Sequence, residues 1–191
     1  MKKYFLNKNN IKRILLTGLK YGAIVGLVTI AFRYILMLMT DRIQGNILVL
    51  ILAGLILIGG QYYAFKFFNE KHKNQQLKFL PTLVVGLIFS LCLGSMAGLA
   101  HFIEATYIDP EWSIKSLEYA KETWLQSNYS ETAISNQVEW TSTFQTPSLW
   151  AFEIMKFLVV LSFAMALMVI SFMKVLEETS LIGQLAVKQR I

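Results

Sequence analysis

Residues 47–65 read ILVLILAGLILIGGQYYAF, and from Ile47 to Phe65 there is no charged side chain. At about 1.5 Å of rise per residue, a helix of this length covers the roughly 30 Å hydrocarbon core of a bilayer. The run therefore reads as a membrane-spanning helix and settles the class of the protein. Three further runs flank it. Segment three is uncharged from Phe79 to Ala100, and segment four from Phe157 to Met173. Segment one, Ile14 to Met39, carries Lys20 and Arg33. A central Arg costs about 2.5–3.5 kcal/mol on an insertion scale, and each Leu, Ile or Phe returns about 0.3–0.6. Segment one is rich enough in Leu, Ile and Phe to insert all the same. The fold class is thus all-α: a polytopic membrane protein with helices near 14–39, 47–68, 79–103 and 150–174.

The rest of the 191-residue chain agrees. It is 55 % hydrophobic and 16 % charged, where a soluble domain carries about 25 % charge. This excludes a soluble globular domain, a secreted disulfide scaffold and a disordered tail. The single cysteine, Cys92, cannot form an intrachain disulfide, and two His leave little to hold a metal. No metal site, cofactor or catalytic residue is expected. The N-terminal bases Lys2, Lys3, Lys8, Lys12 and Arg13 resemble a signal-peptide n-region, but no small-x-small cleavage site follows the apolar run. An uncleaved first helix is the better reading.

Basic residues orient the spans. The head (Lys2, Lys3, Lys8, Lys12, Arg13), the connection between segments two and three (Lys66, Lys71, Lys73, Lys78) and the tail (Lys174, Lys188, Arg190) hold twelve of the 18 bases. The opposite side holds only Arg42, Lys115 and Lys121, with eight of the 12 acids. Both termini are expected in the cytoplasm. The net charge of +6 is a topology signal, and no basic–aromatic interleaving of a nucleic-acid surface accompanies it.

Domain organisation follows: residues 1–103 and 150–191 as a four-helix transmembrane bundle, and 104–149 as an extracytoplasmic helical hairpin. In that connection Asp109-Pro110-Glu111 reads as a helix start, with an N-cap acceptor, Pro at the first position and an acid in the first turn. Ile114, Leu117, Trp124 and Leu125 fall roughly on one stripe. Asn128 to Ser130 breaks the helix, and Ser130-Glu131 starts a second one, carrying Ile134, Val138 and Phe144, which Thr146-Pro147 ends. All four Trp (Trp112, Trp124, Trp140, Trp150) lie in or beside this connection, as befits a segment at a membrane–water interface.

Small residues recur every fourth position in two spans. Segment one has Gly18, Gly22 and Gly26; segment three has Gly86, Ser90, Gly94 and Gly98. Such rows let helix backbones approach closely in lipid, where packing drives association. They suggest that segments one and three pack on each other; a homo-oligomer interface is the competing use.

Lys20-Tyr21-Gly22 with its Gly row, the basic connection running into Phe79 and Gly86, and Tyr107-Ile108-Asp109-Pro110 before a Glu-, Tyr- and Lys-rich helix together resemble the domain of unknown function 4199 family. The resemblance covers nearly the whole chain and rests on packing and turn residues. It implies a four-helix bacterial inner-membrane protein with no catalytic residues to carry over, and an accessory role beside a membrane partner such as a polyprenyl-linked glycosyltransferase. Leu80-Pro81 stands where the family pattern has a polar or small pair, so the start of segment three is expected to be kinked or shortened.

Ionisable groups within spans are costly and are functional candidates by default. With segment one centred near Leu27 and segment four near Ser162, Arg33 and Lys156 each lie six residues outward, about 9 Å. His101 and Glu153 lie further out, and Glu104 at the boundary. The bland reading is that Arg33 and Lys156 snorkel outward and that Glu153 and Lys156, three apart, neutralise each other. The sharper one makes Arg33 and Lys156 a cationic floor beneath Glu104, Glu153 and His101, a ligand-binding cluster for an anionic lipid or phosphate. Gln61 and Tyr62-Tyr63 read as interface anchors. The leading functional expectation is a non-catalytic accessory or scaffold subunit that binds a membrane partner; the alternative is binding or translocation of an anionic lipid headgroup at the outer cluster.

Overall fold

The computed structural model describes residues 8–39, 47–70, 78–144 and 146–188, which are helices and the short turns between them, with no strand among the described residues. The helices are α1 (Lys8–Met39), α2 (Ile47–Glu70), α3 (Phe79–Ile103), a π-helical turn (Glu104–Ile108), α4 (Trp112–Gln126), α5 (Glu131–Phe144) and α6 (Pro147–Lys188). Four of them, α1, α2, α3 and α6, are long and apolar enough to cross a membrane. Only 22 to 39 % of each span's apolar window is buried, so most of the helix surface is left to lipid or to a partner.

Two helices outrun their apolar windows. α1 begins at Lys8 rather than near Ile14, because nothing in the stretch up to Arg13 breaks a helix. α6 passes residue 174 and continues to Lys188, helped by an i, i+4 contact of 3.9 Å between Lys174 and Glu178. The shortened start of segment three is not seen. α3 begins at Phe79, which puts Pro81 in the first turn, where a missing N–H costs no helical hydrogen bond.

The chain divides into two compact units, residues 1–94 with 158–191, and residues 95–157. The second unit therefore includes the end of α3 and the first turns of α6 besides the connection 104–149.

The first unit is built on Phe65, Phe68, Val85, Phe89, Leu93, Ala166 and Ile170, all at most 1 % exposed. Glycine decides two of its helix contacts. A Cβ on Gly22 would lie 2.8 Å from the Phe89 carbonyl oxygen and 2.9 Å from Cys92 Cβ, and one on Gly18 would meet Ile88 at 2.8 Å. The row on α1 therefore seats α3, as expected. The row on α3 does not face it in return. Gly86 lies against Ala166 of α6 and Phe65 of α2, with Ala166 Cβ 3.0 Å from an added Cβ, and Ser90 donates to Ser162 Oγ at 2.9 Å. The two rows thus serve two different interfaces, one with α3 and one with α6. α3 can do both because its opposite face, through Val85, Ile88, Phe89 and Cys92, meets α1.

In the second unit, Gly98 brings α3 onto α6: an added Cβ would lie 2.9 Å from the Ala151 carbonyl oxygen. Gly26 and Gly94, the remaining members of the two rows, are buried. α4 and α5 pack against each other through a turn in which Asn128 takes φ 58°, a left-handed conformation that Asn tolerates. The start of α4 differs from expectation. Its N-cap is Glu111, without a side-chain cap bond, because Asp109 is engaged elsewhere. The Asp109 N–H donates to the Glu104 carbonyl at 2.9 Å, closing the π turn, and its carboxylate accepts from Lys115 Nζ at 2.9 Å. That bond holds the Lys115 ammonium above the usual lysine pKa. Ser130 caps α5, accepting from the Ala133 N–H at 3.3 Å. Thr146-Pro147 opens α6, with Thr146 Oγ1 accepting from the Leu149 N–H at 3.4 Å. The stripe on α4 also splits: Leu117 and Trp124 are half-buried, whereas Ile114 and Leu125 are 60 % and 59 % exposed.

Candidate functional site

Three of the spans' ends carry the ionisable residues singled out above. At the end of α3, His101 and Glu104 sit three residues apart and both are buried, with His101 Nδ1 3.7 Å from Glu104 Oε2. The π turn that begins at Glu104 widens the helix there, a device common at functional positions. The His101 ring lies 6.5 Å from that of Trp150, centre to centre, at 47°. Gly98 admits this arrangement, since it lets the first turns of α6 come within backbone contact of α3. A buried carboxylate this deep in an apolar helix end needs compensation, and the imidazole beside it is suited to give it.

Glu153 and Lys156 behave differently. Glu153 Oε1 lies 2.6 Å from Lys156 Nζ along one face of α6. Lys156 also sits 5.1 Å above the Phe152 ring. Their side chains are 59 % and 48 % exposed, against 3 % for Glu104. Arg33 stands on α1, in the other compact unit, and is half-buried. Of the five residues of the expected cluster, His101 and Glu104 thus form a buried pair and Glu153 and Lys156 an exposed one. Lys156 is taken up by its own helix neighbour, as the i, i+3 spacing allowed.

A polar core that the sequence reading assigned otherwise lies in the first unit. Gln61 is fully buried and is no interface anchor. Its Nε2 donates to the Ser162 carbonyl at 2.6 Å and to Ser162 Oγ at 3.0 Å. Ser90 donates to the same hydroxyl while also bonding the Gly86 carbonyl at 2.8 Å. Accepting from an amide fixes which end of Gln61 faces Ser162, because a carbonyl can only accept. A second bridge, nearer the helix ends, joins α2 to α3: Asn69 Nδ2 to Thr82 Oγ1 at 3.2 Å, with the Lys78 N–H donating to Asn69 Oδ1 at 3.3 Å. The available signal was spacing: Gln61, Ser90 and Ser162 are polar residues in the middle of otherwise apolar runs. Tyr63, by contrast, is 64 % exposed and fits the anchor role.

What unites these features with the sequence is the order of elements: two long apolar helices, a basic connection, a third apolar helix ending at Tyr107-Ile108-Asp109-Pro110, a helical pair, and a fourth long helix. A family model described as a protein of unknown function, DUF4199, matches residues 20–176. The chain belongs to the DUF4199 family. The matched stretch takes in α2 and α3, the His101–Glu104 pair and the α4–α5 pair, with α1 from Lys20 onward and α6 as far as Leu176. No curated protein and no solved structure matches the chain. Among the described residues no group of His, Cys, Asp and Glu is arranged to hold a metal ion.

Proposed function

We propose that this DUF4199 protein is a non-catalytic, multi-pass protein of the bacterial inner membrane that serves as an accessory or scaffold subunit for a membrane-protein partner. In this reading both termini are cytoplasmic, and α4 and α5 form an extracytoplasmic hairpin. The observation that carries it is the surface around that hairpin. Ile114 is 60 % exposed, Leu125 59 %, Tyr129 58 % and Tyr119 54 %. Large apolar side chains displayed on a segment too polar to span a membrane mark a surface that is covered in use. The partner class suggested by the family resemblance is a polyprenyl-linked glycosyltransferase.

The interior supports the non-catalytic part of the reading. His101 and Glu104 are an acid and a base by type, but both are closed off from substrate at 2 to 3 % exposure, and general acid–base work needs hydrogen-bond reach to a reacting group. The alternative, an outer-leaflet anion site on Arg33 and Lys156, draws no support from a lysine held 2.6 Å from its own glutamate.

The test is purification of the tagged chain from its native membrane in mild detergent, beside an Ile114→Glu/Leu125→Glu variant. One polypeptide at fixed stoichiometry with the wild type, lost from the variant at unchanged thermal stability, is the expected outcome. A wild-type chain that elutes without a second polypeptide, or a partner retained equally by the variant, overturns the reading.

A further inference from the structure

The first unit contains a cavity that neither the family match nor the proposed function uses. It has a volume of about 390 Å³ and is lined by Asn9, Lys12, Arg13, Leu16, Thr17 and Lys20 of α1 and by Phe67 of α2. The α1 residues recur at three- and four-residue steps, so they form one continuous face of the helix over three turns. Along that face the chemistry changes with depth. Taking Leu27 as midspan, Lys20 lies about 10 Å from the bilayer centre, inside the hydrocarbon edge, and Lys12 and Arg13 lie about 21–22 Å out, among the headgroups. Leu16 and Phe67 supply apolar wall between them.

The bases are held in place in different ways. Arg13 Nη2 donates to the Phe68 carbonyl at 2.9 Å, and its guanidinium lies 5.6 Å from the centre of the Phe68 ring. The Lys20 ammonium is 5.8 Å from the ring centres of both Tyr21 and Phe67, which themselves pack at 5.6 Å. Neither Lys12 nor Lys20 has an acidic partner among the described residues. Glu70, at the neighbouring end of α2, is engaged with Lys66 at 3.8 Å. Three cations thus border a cavity in which no acid lines the wall.

We infer that this cavity binds the phosphate of an anionic phospholipid, with Lys12 and Arg13 on the phosphate, Lys20 reaching up from below, and Leu16 and Phe67 against the start of the acyl chains. Three features select a lipid over a free anion. The cavity straddles the boundary between headgroup and hydrocarbon, it has an apolar wall below its basic rim, and its volume falls in the usual range of about 300–1,000 Å³ for small-molecule sites. The inference stands apart from the scaffold reading, since its residues belong to α1 and α2 and not to α4 or α5.

Native mass spectrometry of the full chain in detergent, supplied with phosphatidylglycerol or phosphatidylcholine, tests it. Wild type should retain phosphatidylglycerol and bind phosphatidylcholine at least tenfold more weakly. Lys12→Gln/Lys20→Gln should weaken phosphatidylglycerol binding by about 25-fold, at roughly fivefold for each base near a charged surface. Lys12→Arg/Lys20→Arg should retain it, which separates loss of charge from loss of fold, and Lys66→Gln, outside the cavity, should leave it unchanged. Equal retention of both lipids, equal losses in the Gln and Arg variants, or a loss in Lys66→Gln as large as in the double variant overturns the inference. Displacement of phosphatidylglycerol by millimolar inorganic phosphate would make the site one for free anions and overturn it too.

Discussion

Gly22 and Gly54 are both helical glycines in membrane spans, and the structure gives them opposite fates. A side chain on Gly22 has no room, because the Phe89 carbonyl oxygen is 2.8 Å from where its Cβ would stand; around Gly54 nothing lies within 4 Å. Gly22→Leu should therefore force α1 and α3 apart and lower stability in detergent by about 1–3 kcal/mol, as overpacking of a close contact does. Gly54→Leu should change it by less than about 0.5 kcal/mol, the usual range for a surface substitution. Thermal melts of the two variants side by side check this, and equal melts would mean that Gly22 faces lipid. The spacing of Gly18 and Gly22 was legible in the sequence because a small row has a mechanical meaning. What it could not give was the facing surface. Gly86 and Ser90 share that spacing and pack on α6, since a row says that something comes close and not which helix it is. The Glu153–Lys156 pair was legible from its i, i+3 spacing. The equal calculated depth of Lys156 and Arg33 said less, because depth along an axis leaves the angle around the helix open.

Joined elements depend on the buried polar bridge as well as on close packing. Gln61 of α2, Ser90 of α3 and Ser162 of α6 meet at one level of the first unit. Hydrogen bonds between membrane helices average about 0.6 kcal/mol and reach about 1.7 at most. A double-mutant cycle on Gln61→Leu and Ser162→Ala should give a coupling in that range, smaller than the full cost of either change, because Ser162→Ala leaves the 2.6 Å bond to the backbone carbonyl intact. A coupling indistinguishable from zero would show that the side-chain bond contributes nothing. Elements themselves were well marked in the sequence where the chemistry is local. Ser130 caps α5, and Thr146-Pro147 belongs to α6, serving as its start as well as the stop for α5. The start of α4 was misread because Asp109 has two possible uses. A carboxylate ahead of Pro110 can cap a helix, but here its backbone closes the π turn and its side chain holds Lys115. A π turn widens a helix without a distinctive residue pattern, so nothing in the chain announced it.

For the molecule as a whole, membership of DUF4199 and four helices fit to cross a membrane are established. The sides on which the connections lie are part of the proposal, and both the scaffold reading and the direction of the lipid cavity depend on them. Composition carried the class because 55 % apolar content, gathered in runs of about 20 residues, has few other physical outcomes. Function was not legible to the same degree, because the exposed apolar residues around α4 and the basic cavity beside α1 arise from tertiary placement. Cysteine accessibility in intact cells decides the sides directly. In a Cys92→Ser background, Lys121→Cys on α4 should react with a membrane-impermeant maleimide before the membrane is opened, and His72→Cys, between the second and third spans, only afterwards. His72→Cys labelled from outside with Lys121→Cys protected, or the two positions labelled alike, would contradict the proposed topology and with it the extracytoplasmic partner surface.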